Sequence, residues 1–169
     1  MAEGLGEKIL RVVTLDGDVF DDVARDERQT GSALSIVFAV ALASGLGRMP
    51  GGGLRGLLLG ALEICLPFCL WLAVMQGALV AMGRPDRLAP LFRALGFSLA
   101  PFSLALFQAF PLLGPLVSGT GVLLGLATSY RAVQRAGLLA PLEAGALCFT
   151  GLFAALWGSS VLLSIVQPR

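Results

Sequence analysis

The sequence contains no histidine, and only 14% of its 169 residues are charged, against about 25% in an ordinary soluble domain. The missing histidines exclude an axial imidazole for a haem, a Ser-His-Asp triad, an HExxH zinc site and a histidine proton relay. Eleven of the twelve basic residues are Arg, and the one lysine, Lys8, lies outside every long apolar run. Nucleophilic catalysis therefore lacks its usual activators, and the Ser159-Ser160 pair has no base beside it. The RMPGGGLR stretch lacks the GK[ST] ending of a phosphate-binding loop. No enzymatic activity, cofactor, metal or nucleic-acid partner is expected.

Cysteine is scarce as well. Cys65, Cys69 and Cys148 all lie inside apolar runs, where a disulfide framework is not expected. Cys65 and Cys69 share a helix face at i, i+4, but two thiolates fall short of an ordinary soft-metal site. Small-residue packing is the expected role.

What the chain does have is apolar sequence. Hydrophobic residues make up 56%, and the mean hydropathy is +0.85. A soluble domain of this length needs a charged surface that this composition does not supply, so the expected solvent is lipid. The Arg, Ala, Gly and Leu bias fits a GC-rich bacterial gene.

The charges are unevenly placed. Residues 1–28 hold eight acids and four bases, a formal −4. The remaining 141 residues hold eight bases and three acids, a formal +5. The acidic start does not fit a signal peptide, which opens on a basic segment followed by an apolar one. Leu5, Ile9, Leu10, Val12 and Val13 fit one face of a short helix ending at Val13. Residues 14–17 read as a turn, and Asp18 is placed to cap a second helix over 19–27 with Val19, Phe20 and Val23 on one face. Two readings of this head stay open: a solvated tail, or a docking helix at the membrane interface.

A membrane-crossing helix needs about 20 apolar residues. Spans are expected at about 29–47, 56–83, 95–110, 113–130 and 143–166. They are separated by the Gly/Pro-rich loop 48–55, the polar loop 84–93, a break at 111–115 and a loop at 131–142. The uncharged run 94–130 is too long for one crossing, so it folds back at Pro111 and Pro115, either as two full spans or as a re-entrant hairpin. The expected fold is thus an all-α polytopic integral membrane protein, a five-helix transmembrane bundle behind a short helical cytoplasmic head at 1–28. Nine basic residues fall on the head's side and three on the other. The positive-inside rule then places the N-terminus in the cytoplasm of a bacterial inner membrane and the C-terminus in the periplasm.

Small residues at i, i+4 let membrane helices approach closely. Gly56-xxx-Gly60, Gly121-xxx-Gly125-xxx-Ser129 and Gly151-xxx-Ala155-xxx-Ser159 have that spacing, and the last two stripes predict tight packing of the fourth span on the fifth. Glu63 is the single ionisable residue deep in a span, and such a group is costly unless protonated, paired or facing a cavity. No basic partner is expected at its depth; Gln76 and Gln108 are the nearest polar candidates in type. Pro67 is expected to kink the helix beyond Glu63. The loop arginines Arg84, Arg87, Arg93, Arg131 and Arg135 are expected to face anionic lipid headgroups or a partner, or only to fix the topology.

The head segment LDGDVFDDVARDERQTGSAL and the stretch from Arg93 to Leu139 together resemble the bacterial branch of the Yip (Ypt-interacting protein) family. The signature residues are Gly96, Phe97 and Pro101, followed by the Pro111 and Gly114 hairpin and the basic segment from Tyr130 to Arg135. Phe97 stands where eukaryotic members more often carry tyrosine. The resemblance implies a cytoplasmic head, five spans and no enzymatic activity. Eukaryotic relatives bind small GTPases in vesicle traffic and form oligomers, but the head here is far shorter than theirs.

Two functional readings follow. One is a non-catalytic protein that scaffolds or stabilises other membrane proteins, as a homo- or hetero-oligomer, or organises the bilayer. The other is a transporter or permease component with Glu63 as its coupling group.

Overall fold

The computed structural model describes residues 4–84, 88–110, 114–137 and 139–166. Every regular element among them is helical. In chain order these are α1 (Leu5–Val13), α2 (Gly17–Arg25), α3 (Gln29–Ala81), α4 (Leu88–Ser98), a 3₁₀ helix (Ala100–Ala109), α5 (Gly114–Gly137) and α6 (Pro141–Val166).

The two head helices form largely as their patterns predict. The cap of α2 is Asp16, whose carboxylate accepts from the Asp18 amide at 3.0 Å; Asp18 itself lies in the first turn. The head is not a free tail. Val12, Val19, Phe20 and Val23 are fully buried, and α2 packs on α4 and α5.

The expected loop at 48–55 does not form. Helix continues through Arg48 and Pro50, and the chain reverses at Gly53 (φ 55°, ψ −142°), a conformation that only glycine adopts readily. The limbs of α3, 29–52 and 54–81, run back along each other. They touch through backbone: a Cβ on Gly60 would lie 2.7 Å from both the Gly45 Cα and the Ser44 carbonyl oxygen, and one on Gly45 would lie 2.5 Å from the Leu57 oxygen. The Gly56/Gly60 spacing therefore closes this hairpin. Pro67 sits inside the second limb without a non-helical φ/ψ of its own.

The third apolar stretch starts earlier than residue 95. Pro90 falls in the first turn of α4, where a missing N–H is tolerated, so Arg93 belongs to the helix and not to a loop. At Pro101 the helix tightens to 3₁₀, with the Phe102 amide donating to the Leu99 oxygen at 2.8 Å. Helix α5 runs on past residue 130 to Gly137, which puts Arg131 and Arg135 in its last two turns, where cations complement the helix dipole.

Among the described residues three helical stretches are long and apolar enough to cross a membrane: Gln29–Ala81, Leu88–Phe107 and Pro141–Gly158; α5, where a fourth span is expected, is not one of them. The two limbs of the first are about 36 and 42 Å long, each enough for a hydrocarbon core of about 30 Å.

Candidate functional site

The head is held to α4 and α5 by arginines. Arg93 is 5% exposed. Its Nε donates to the Ala24 carbonyl at 3.2 Å, its Nη2 donates to the same oxygen, and its Nη1 reaches Thr30 Oγ1 at 3.5 Å. The last carbonyls of a helix have no intrahelical partner. At the end of α2 the Arg28 amide turns to the Asp26 carboxylate instead, which leaves Ala24 for the guanidinium. Arg135 Nη1 donates to Asp21 Oδ2 at 2.9 Å, and its guanidinium lies over Gly17, where a Cβ would meet Nη2 at 3.0 Å. Arg84 donates to the Gly137 carbonyl at 3.1 Å.

These contacts revise the expected lipid- or partner-facing arginines. Arg93 is not an exposed loop arginine: the head packs over it, and it lines a cleft between α2, α4 and α5. Arg135 is engaged by Asp21. Arg131 is exposed, and Arg87 lies outside the described residues. The signal missed in the sequence is that acids and bases of opposite ends of the chain complement each other: the head's Asp21 finds its base 114 residues away.

Glu63 does have a basic partner. Arg48 Nη1 donates to Glu63 Oε1 across the hairpin. Arg48 was expected in a loop. Because helix continues to Gly53, it sits about 8 Å up the first limb and Glu63 about 15 Å up the second, and the long arginine stem spans the difference. A cleft of about 160 Å³ lies beside Glu63, lined by Ser44, Phe102 and Gly121 among others. Gln76 is on the same limb as Glu63 but about 20 Å further along, beside a groove that Cys69, Leu72 and Phe92 also line. The side chain of Gln108 lies outside the described residues. Gln76 therefore does not share a site with Glu63.

The small-residue stripes have other partners than expected. Gly121 and Gly125 of α5 face the 3₁₀ helix, not α6. A Cβ on Gly121 would lie 2.9 Å from the Pro101 oxygen, and one on Gly125 would enter the Phe102 ring. Ser129 completes this face through a hydroxyl contact with Ser98 at 3.1 Å, and Thr128 Oγ1 donates to the Ser98 carbonyl at 2.9 Å. Gly151 of α6 faces Trp71, with a Cβ there 2.7 Å from Cδ1. Ala155 is fully buried, and the Ser159 side chain lies outside the described residues. Each stripe receives a bulky ring, because the 3₁₀ turn presents Phe102 and the second limb of α3 presents Trp71.

The resembling signature residues fall in the same region. Gly96 packs on Ala33 of α3, where a Cβ would lie 2.9 Å from the Ala33 Cβ. Phe97 is fully buried, Pro101 lies in the first turn of the 3₁₀ helix, and Gly114 starts α5, its amide donating to the Phe110 oxygen at 2.7 Å. Pro111 lies outside the described residues.

The chain is thus an all-helical protein with helices suited to a membrane and a head packed on their ends. No protein-family model, no curated protein and no solved structure matches it.

Proposed function

We propose that the chain is a non-catalytic integral membrane protein that holds other membrane proteins together. In this reading the two limbs of α3, α4 with its 3₁₀ extension, α5 and α6 make five crossings, with the head in the cytoplasm and the C-terminus in the periplasm of a bacterial inner membrane. The observation that carries it is the pair of hydrogen bonds that Arg93 donates to the Ala24 carbonyl. A head clamped in this way presents a fixed outer surface, and Glu7, Asp18, Asp22 and Glu27 are exposed on it. A fixed acidic surface suits a partner with basic cytoplasmic loops, which inner-membrane proteins carry by the positive-inside rule. The Yip resemblance supports the same topology and the absence of catalysis. It rests on the head segment and the stretch from Arg93 to Leu139 alone.

The test is purification of the full chain in mild detergent with quantitative mass spectrometry. A membrane protein co-purifying at near-constant stoichiometry is expected. A chain that purifies alone overturns the reading.

A second reading, a transport component coupled through Glu63, draws on the cleft beside that carboxylate. The Arg48 partner accounts for the carboxylate without any transported ion. Loss of a proton-linked flux in Glu63→Gln is the result that would favour transport.

A further inference from the structure

Between α2, the start of α4 and the end of α5 lies a cleft of about 390 Å³, lined by Asp21, Arg25, Pro90, Arg93 and Arg135 among others. Three guanidinium groups meet one carboxylate there. Asp21 is the acid, and it is already taken by Arg135. Arg93 is buried, yet its three hydrogen bonds leave two of its five N–H groups without an acceptor among the described residues. Arg135 uses one N–H, toward Asp21. Arg25 has no ion-pair partner among the described residues; on its other side, a separate depression holds Lys8, Asp22 and Asp26. The cleft therefore has a formal excess of two positive charges and several spare, forked donors.

We propose that this cleft binds a phosphate group, with Arg25, Arg93 and Arg135 donating to its oxygens. Planar guanidinium forks match phosphate oxygens in pairs, and a bound anion would offset the like-charge repulsion among the three. Two sources share this chemistry: the headgroup of an anionic phospholipid, and free phosphate. The site itself does not depend on the scaffold reading. The lipid source depends only on the chain lying in a membrane, where the junction of head and spans falls at headgroup level.

The test uses the full chain in neutral detergent at constant ionic strength. Thermal unfolding is followed while short-chain phosphatidylglycerol, short-chain phosphatidylcholine or inorganic phosphate is added. Phosphatidylglycerol is expected to raise the midpoint and phosphatidylcholine is not. A rise with phosphatidylglycerol alone identifies the lipid headgroup, and a comparable rise with inorganic phosphate identifies a free-anion site. Arg25→Gln touches no structural contact of the head, so it is expected to fold normally and bind about tenfold more weakly. Arg135→Lys keeps the charge but loses the fork, and is expected to weaken binding while the head stays docked. No midpoint shift with either anion, or unchanged binding in Arg25→Gln, overturns the proposal.

Discussion

Arg93 of α4 donates twice to the carbonyl oxygen of Ala24, 69 residues earlier in the chain. One guanidinium thus closes the end of a head helix and anchors it on α4. Replacing Arg93 by Leu removes charge-assisted bonds worth about 1.5–3 kcal/mol each in isolation and leaves the Ala24 carbonyl unpaired. Because they share one acceptor, the expected loss is about 2–4 kcal/mol, concentrated in the head. Amide hydrogen exchange should show α2 losing protection while the two limbs of α3 keep theirs.

The Arg48–Glu63 pair makes a second prediction. Either Arg48→Leu or Glu63→Leu leaves a charge in the apolar α3 hairpin without its partner. The double variant is expected to be more stable than the sum of the two single losses implies, with a coupling of about 1–2 kcal/mol. Denaturation of all four proteins in one detergent measures it. Zero coupling would mean that solvent, not Arg48, satisfies the carboxylate.

Gly125 has no room for a side chain because the Phe102 ring lies against it. Gly125→Ala is expected to cost about 1–3 kcal/mol, as overpacking usually does. Gly125→Ala combined with Phe102→Leu should recover part of that loss. Gly119, which has open space around it, should accept Ala without penalty, and so serves as the control on the same helix.

Leu15 predicts a change in the opposite direction. Its φ is 62°, in the left-handed region that favours glycine. It closes α1 with its amide on the Val12 oxygen and the Asp16 amide on the Arg11 oxygen, both at 3.0 Å. That bond pair usually has glycine at this position, as Gly83 (φ 74°) provides at the end of α3. Leu15→Gly is expected to raise the stability of the head by about 1 kcal/mol, read as slower exchange of the α1 amides.

Acid should loosen the head. The Arg11 side chain, followed by the Asp18 amide, holds the Asp16 carboxyl below the usual aspartate range, and Gln29 with the Arg28 amide does the same for Asp26. A pKa depressed in the folded state means that the contribution is fully present above the unfolded value of about 3.9. It is lost as pH falls through the folded value. Head protection should be flat from pH 7 to about 5 and decline below about 4. Asp16→Asn should weaken the head at neutral pH and flatten that decline.

Much of the architecture was legible in the sequence because helix periodicity and charge placement are local. The faces of α1 and α2 follow from Val12, Val19, Phe20 and Val23. What was not legible depended on contacts between distant segments. Pro90 reads as a loop residue until its place in the first turn of α4 is known, and with it Arg93 moves from a loop to a buried clamp. The triple glycine at 51–53 reads as a loose connection, but only Gly53 turns the chain, so Arg48 stays helical and reaches Glu63. The spacing of Gly121 and Gly125 shows that something packs closely there. It does not say that the partner is Phe102, because the 3₁₀ turn that presents the ring is set by tertiary packing around Pro101.

The most direct test of the scaffold reading compares partner retention in three versions of the full chain, purified in the same mild detergent: wild type, Arg93→Leu and Asp18→Lys/Asp22→Lys. The account predicts a membrane protein retained at constant stoichiometry by wild type, and at least tenfold less of it with either variant, since about 1.4 kcal/mol of lost contact suffices for that change. Equal retention by all three would contradict it, as would a wild-type chain that carries no partner.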